Sequence, residues 1–496
     1  MLTPATERRL LALILVLFVA LGFTYALVTP AFEASDELWH YPMVRHLADG
    51  NPLPVQVFDP ALAGPWNQEA SQPPLYYYLG AALTFRIDQS DMATARRLNP
   101  HVDNGAITHD GNTNLAVHDP AADPWAGALL AVRLVRLASV LLGAVTVYLT
   151  YRLAAETAPG RPVVALGAAA INAFLPMFLF ISGAVNNDNL AVPLASLALL
   201  LMVRIVTRRR AAWFPVRWHE WAGLGLVIGL AALTKEGTLG LIPMAVGTAV
   251  VAAWQKLTAD RRPPTDDRRQ TTDHRPQEEH HQLRQAVVRR PSSVVPWSAV
   301  VSLLVSLMII AVPILLVAGW WYWRNVVLYG DWLGWNAFIA VLGERGHPAS
   351  LAQLWGARRG FLMAFWGLFG GVNVPMWPWV YTVLNALLAL SVVGFIVYLL
   401  RLLRDEWRTW REGQEFWFTR LLRIVERHFG LIVCLLFSAA VVYGLVQWAT
   451  TTWSSQGRLV FTAISPLCTL MALGIVEIGR LGDWGISAIS QPPNPP

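Results

Sequence analysis

The chain has 496 residues, of which 55% are hydrophobic and only 14% charged, with a formal net charge of +6. Soluble domains carry roughly 25% charged residues, and the mean hydropathy here is +0.43, which excludes an ordinary soluble enzyme. The positive charge does not point to nucleic acid, because the basic residues sit in short loops between apolar runs and not on a soluble basic domain.

An α-helix needs about 20 apolar residues to cross roughly 30 Å of hydrocarbon. Runs of that kind lie near 10–29, 128–151, 162–181, 188–206, 219–234, 237–254, 297–321, 376–400, 430–449 and 458–478. Backbone groups find no partners in lipid, so helices are the economical spanning structure. The expected fold class is an all-α polytopic membrane protein of about ten transmembrane helices. The first run follows Arg8 and Arg9 and is long enough to span, so it reads as a span and not as a leader. Cys434 and Cys468 fall inside apolar runs and read as buried thiols, with no disulfide framework.

After the first span comes SDELWHYPMVRHLADG. Ser35 suits the cap of a helix starting at Asp36, with acidic residues in its first turn. On such a helix Asp36 and His40 share a face, and Trp39 and Met43 are expected toward the membrane. The pattern fits a capped interfacial helix as well as a reactive one. Gln72–Ile87 (QPPLYYYLGAALTFRI) is apolar but short, and the Tyr76–Tyr78 run suits the headgroup level. Further on, SGAVNNDNLA puts Asn186, Asn187 and Asp188 in a hairpin between spans, where Asp188 can equally cap the next helix. Lys235 and Glu236 (TKEG) occupy another hairpin and can pair with each other. Arg324 ends a span among aromatics (WWYWRNVVLYGDW), a position that also fits snorkelling to the interface. Gln456 and Arg458 (WSSQGRLVF) open the last span.

Orientation turns on Gln72–Ile87. If it lies along the interface, the Arg208–Arg210 cluster with Arg217, the 255–296 loop and the arginine-rich 401–429 loop all fall inside, as the positive-inside rule demands. If it crosses, all three move outside. The interfacial version puts both ends of the chain inside and segments 30–125 and 322–375 outside, so the carboxylates, amides and arginines named above converge on the outer face. Ionisable groups near membrane depth are costly, and a converging set suggests a site. The chain divides into an N-terminal membrane module (1–254), a charged cytoplasmic loop (255–296) expected to be disordered, a C-terminal membrane module (297–478) and a tail (479–496). His274, His280 and His281 in the loop lack an ordered scaffold for a metal.

The order SDELWHY, QPPLYYYLG, VRLVRLASVLLGAVTVYLTYRLA, NNDNLA resembles the GT-C superfamily of membrane glycosyltransferases, in the branch of protein O-mannosyltransferases and aminoarabinose transferases. RNVVLYGD, FWGLFG and QGRLVF are similar to a poorly characterised bacterial family of GT-C-like proteins. The likeness covers about residues 10–478, leaving out 88–124 and 255–296. It implies interfacial helices in the first outer loop and a catalytic acidic residue matching Asp36, with Glu37 beside it. It implies as partners a polyprenyl-phosphate-linked sugar, a lipid, glycan or protein acceptor, and the bilayer. Aminoarabinose transferases carry a Lys where this chain has Gln72, so Arg324 or Arg458 is expected to supply charge for the phosphate. The expected substrate-binding set is His40, Gln72, Tyr76, Asn187, Asp188, Arg324, Gln456 and Arg458. The residues fix no cofactor, and the resemblance leaves room for a divalent metal near Asp36, Glu37 and His40, since some GT-C enzymes need one. The expected function is inverting sugar transfer at the outer face of the cell membrane. A lipid-linked glycan transporter, a polymerase or ligase, and an inactive GT-C scaffold are the alternatives.

Overall fold

The structure is a computed structural model describing residues 2–34, 36–108, 110–208, 218–259, 297–412, 417–454 and 456–489. The expectations for Ser35, for Arg209, Arg210 and Arg217, for most of the 255–296 loop with its histidines, and for the end of the tail lie outside the described residues.

Helix α1 (Pro4–Val28) starts where Thr3 accepts a hydrogen bond from the Thr6 amide and Pro4 pre-sets the first turn. The first loop holds α2 (Glu37–Ala48), α3 (Leu75–Thr84) and the single turn α4 (Met92–Ala95). Next come α5 (Gly127–Thr157), α6 (Pro162–Ala173), α7 (Pro176–Ser182) and α8 (Asp188–Thr207). They are followed by α9 (Trp218–Ala232), α10 (Leu241–Ala259) and α11 (Trp297–Ile314). A π-turn over Leu315–Gly319 joins α11 to α12 (Trp320–Tyr329). The second loop carries α13 (Trp335–Leu342), α14 (Leu351–Gly356), α15 (Arg358–Trp366) and a small antiparallel hairpin of β1 (Leu368–Phe369) and β2 (Val374–Pro375). The chain closes with α16 (Pro378–Glu412), α17 (Trp417–Arg427), α18 (Phe429–Thr451) and α19 (Ile464–Ile489).

The protein is an all-α multi-pass membrane protein. Among the described residues eight helices are long and apolar enough to cross a membrane, and α6 with α7, bent by 62°, make a ninth if they form one broken span. The tenth expected span is α9, whose 15 residues rise only about 22 Å. Its hairpin with α8 nevertheless closes: Lys235, just after α9, bonds Asp188 at the start of α8 at 2.6 Å. Both helices therefore run between the same two ends of the bundle. Helix α3 has 10 residues, about 15 Å, and does not cross.

Apolar packing and close backbone approach hold the bundle. A Cβ on Gly394 would overlap the Gly474 carbonyl oxygen, and one on Gly474 would overlap that of Ser391, so α16 and α19 touch along their backbones. Between α5, α6, α8 and α19, Ser465 Oγ lies 2.7 Å from both Thr150 Oγ1 and Ser196 Oγ, and Asn172 donates to Thr150. At the end away from α2, Glu156 pairs with Arg204 and Arg208, and Glu477 with Arg161 and Arg401.

The first loop is more deeply packed than its sequence implies. Met43, expected at the membrane, is fully buried with Leu38, Tyr41 and Val44. Trp39 is only partly buried, under the Arg96 guanidinium. The cover comes from 88–124, the stretch without a counterpart in the resemblance: Met92, Leu115 and Ala116 join the same core, and Glu33 accepts from the Leu115 and Ala116 amides and pairs with His118 at 2.6 Å. Of the tyrosine run, Tyr76 and Tyr77 are buried and only Tyr78 reaches the surface.

Candidate active site

Four turns meet at one end of the bundle: the start of α2, the 67–75 segment, the 185–188 turn into α8, and the 233–236 turn between α9 and α10. The 456–458 segment closes over them. Backbone bonds fix their register, with the Leu75 amide donating to the Leu233 carbonyl at 3.0 Å. Gln72 Oε1 accepts from Asn187 Nδ2 at 3.2 Å, and the Asn186 amide donates to the Tyr76 hydroxyl. Gln72, Tyr76, Asn187 and Asp188 thus share one cluster.

Asp36 is the N-cap residue of α2, yet its side chain makes no capping bond. The helix begins at Glu37, one residue later than expected, and the Asp36 carboxylate turns to the Arg458 guanidinium instead. Arg458 is buried and also donates from Nε to Gln456 Oε1 at 2.7 Å. Partial burial works against ionising Asp36, but the Arg458 charge, with help from His40 and Lys235, overrides it and holds the carboxyl below its ordinary range. Gly457 is needed for a reason internal to the protein: a Cβ there would overlap the Phe361 carbonyl oxygen and crowd Phe365. Helix α15 therefore seats Arg458.

Glu37, beside Asp36 in sequence, points the other way and is fully buried. It accepts from Arg136 Nε at 2.9 Å and Nη2 at 2.6 Å, and from the Phe32 and Val185 amides at 2.8 Å each. Arg136 also donates to the carbonyls of Ala26, Thr29 and Pro30. With both oxygens engaged, Glu37 ties the first loop to α5 and faces away from the Asp36–Arg458 pair. Arg324 is likewise engaged within the protein. It donates to the Pro54 carbonyl at 2.8 Å and packs on the Trp321 ring, which secures the loop after α2, and no contact joins it to Asp36 among the described residues.

His40 stands one turn from Asp36, with Nδ1 2.8 Å from the Tyr77 hydroxyl and stacked on that ring. Tyr77 donates to Glu69 Oε2 at 3.3 Å, and Gln68 donates to Glu69 Oε1 at 2.9 Å. Burial drives the His40 imidazole down to about 4. Burial, aided by the Asp36 charge, pushes the Glu69 carboxyl up to about 8. Glu69 carries no local motif and was not among the expected residues. Lys235 was visible, but its partner is Asp188 at 2.6 Å and not Glu236.

Among the described residues no group of three or more His, Cys, Asp and Glu side chains could hold a metal ion. Around Asp36, Glu37 is turned away and His40 Nδ1 is tied to Tyr77.

Residues 131–263, about a quarter of the chain, match the family model described as dolichyl-phosphate-mannose-protein mannosyltransferase. The chain resembles the GT-C membrane glycosyltransferases. Similar solved structures include ArnT from Cupriavidus metallidurans bound to undecaprenyl phosphate, with 15% identity and a TM-score of 0.43 over 96% of this chain and 62% of that one. Another is the archaeal oligosaccharyltransferase AglB from Archaeoglobus fulgidus in complex with an inhibitory peptide and a dolichol-phosphate, with 14% identity and a TM-score of 0.45 over 98% and 52%. The chain therefore spans less than two thirds of the length of these proteins. No curated protein matches it.

Proposed function

We propose that this chain is an inverting glycosyltransferase, taking a sugar from a polyprenyl-phosphate donor and passing it to an acceptor hydroxyl at the outer face of the membrane. The observation that carries the reading is the Asp36–Arg458 pair, set where four helix-end turns meet beside Lys235 and Asp188. A carboxylate next to two cations suits a reaction in which a proton is lost on one side and phosphate charge grows on the other.

The acceptor oxygen attacks the anomeric carbon, its bond to the donor phosphate oxygen breaks, and the hydroxyl proton passes to Asp36. The leaving polyprenyl phosphate keeps the electron pair, and Arg458 and Lys235 stabilise its charge. Arg458 suits phosphate because its planar fork donates two parallel bonds. Attack opposite the leaving group predicts inversion. Gln72, Tyr76, Asn187 and Gln456 line or brace the cluster, and the unpartnered, buried Oδ1 of Asn187 leaves an acceptor for a sugar hydroxyl. In this reading the 1–254 module supplies every group but Gln456 and Arg458, which the 297–478 module adds.

The outer assignment is supported by charge. Arg204, Arg208, Arg401, Arg404, Arg411 and Arg427 belong to the end of the bundle away from Asp36, and cytoplasmic loops are the ones enriched in Lys and Arg. The test is incubation of the purified protein with a panel of polyprenyl-phosphate sugars, reading release of polyprenyl phosphate. Release with one donor, lost in Asp36→Asn, supports the proposal. No release with any donor from folded protein overturns it.

A further inference from the structure

Beside the ion pair lies a second system, three buried polar side chains in a line: His40 from α2, Tyr77 from α3, and Glu69 from the turn between them. The spacings are 2.8 Å from His40 Nδ1 to the Tyr77 hydroxyl and 3.3 Å from that hydroxyl to Glu69 Oε2. His40 and Glu69 also approach directly, at 3.5 Å. The other ring nitrogen of His40 makes no hydrogen bond to any described residue, and it belongs to the residue one helical turn from Asp36, on the same face. The line therefore runs from Glu69 inside the protein to His40, one helical turn from the candidate base. Hydrophobic packing would not need it, since burying a carboxyl group with so few partners is costly.

We propose that His40, Tyr77 and Glu69 form a proton relay that empties Asp36 between turnovers, with Glu69 as its terminal acceptor. The inference rests on the reading of Asp36 as the base. A proton passes from Asp36 to His40 Nε2, from His40 Nδ1 to the Tyr77 oxygen, and from Tyr77 to Oε2 of ionised Glu69. Three bonds to hydrogen break and three form, the net change is one proton moved from Asp36 to Glu69, and Glu69, whose side chain is 6% exposed, gives that proton to water before the next turnover. Arg458 favours this direction, because it stabilises the Asp36 carboxylate once the phosphate has left.

The groups facing the relay come from every element around it. Asp36 and Arg458 stand toward His40 and Glu69, Lys235 and Asp188 toward His40, and Lys235 and Glu236 toward Glu69. With the Glu69 carboxyl pushed up to about 8 by burial and the Asp36 charge, its ionised form accumulates as pH rises through that value. Transfer should therefore climb with pH to a plateau, the limb centred near 8, and weaken as pH falls below it.

The test is the pH profile of transfer in wild type, Glu69→Gln and Tyr77→Phe, with infrared titration of the un-ionised carboxylic acid band in the same preparations. The expected result is a limb near 8 in wild type and a flat profile in both variants, with plateau rates down about 10²-fold, the lower end of general acid–base effects. The component of the band that Glu69→Gln removes should titrate in wild type and persist in Tyr77→Phe. A limb that survives in Glu69→Gln overturns the relay while leaving the transfer reaction standing. Should wild type transfer no sugar at all, the infrared arm still decides: no carboxylic acid band at neutral pH removes Glu69 as a proton holder, and a Glu69-dependent band titrating near 8 supports it.

Discussion

Replacing Asp36 by Asn should do two opposite things. Sugar transfer should fall about 10²–10⁴-fold, the usual range for a lost general base, because the amide is nearly isosteric but accepts no proton. Binding of bare undecaprenyl phosphate should become tighter. In the resting protein the Arg458 guanidinium is committed to the Asp36 carboxylate through Nη2 and to Gln456 through Nε. An incoming phosphate must displace the first of these partners. A charge-assisted bond is worth about 1.5–3 kcal/mol, but the Asp36 side chain is 32% exposed, so screening favours the low end. That corresponds to roughly tenfold tighter binding in the variant. The assay is a titration of detergent-solubilised wild type and Asp36→Asn with undecaprenyl phosphate, alongside thermal unfolding to show that the fold survives. Unchanged or weaker binding in a folded Asp36→Asn protein would refute the idea that this carboxylate and the donor phosphate compete for Arg458.

Glu37→Gln should behave unlike its neighbour and lower stability by about 3–5 kcal/mol, because it leaves buried Arg136 without its counter-charge; a folded, inactive Glu37→Gln with a wild-type melting temperature would contradict this. Arg458→Gln and Lys235→Met should each weaken donor binding roughly ten- to a hundredfold with acceptor affinity little changed, measured by lipid titration. Cysteines introduced at exposed Ala61 and Arg404 should divide by side: Ala61→Cys reacts with an impermeant thiol reagent on intact cells, Arg404→Cys only after lysis, and the reverse pattern would overturn the outer assignment.

The membrane architecture was readable in the sequence because apolar runs have a length set by the bilayer, and nearly every run became a helix. The departures have local causes. Phe174 and Leu175 precede Pro176, which cannot continue the ladder of α6, and the span bends there. The carboxylate at 36 and the arginine at 458 were both noticed, each from its place at a span end, but nothing in either motif says that 422 residues of chain separate two ends of one bond. The pairing of Glu37 was hidden for the same reason. Its partner, Arg136, is 99 residues away in the middle of an apolar helix, and adjacency to Asp36 was the only cue available. The burial of Glu69 was not legible because an isolated Glu in NQEASQPP looks like a solvated loop residue until the loop is seen to be packed.

The charged groups of the candidate site share one property, which links stability to chemistry. Asp36 has Arg458 and Asp188 has Lys235, so both of these cations are matched by a carboxylate. Unmatched charge at that depth would cost several kcal/mol per ion, and pairing lets the cluster exist without substrate. In the proposed reaction a polyprenyl phosphate brings its own negative charge to the same depth and replaces either carboxylate as partner. Any such exchange releases a carboxylate whose affinity for protons then rises, because the cation that held it ionised has turned to the lipid. At Asp36, the base of the proposed reaction, this strengthens the carboxylate as a proton acceptor only when a donor is present to react.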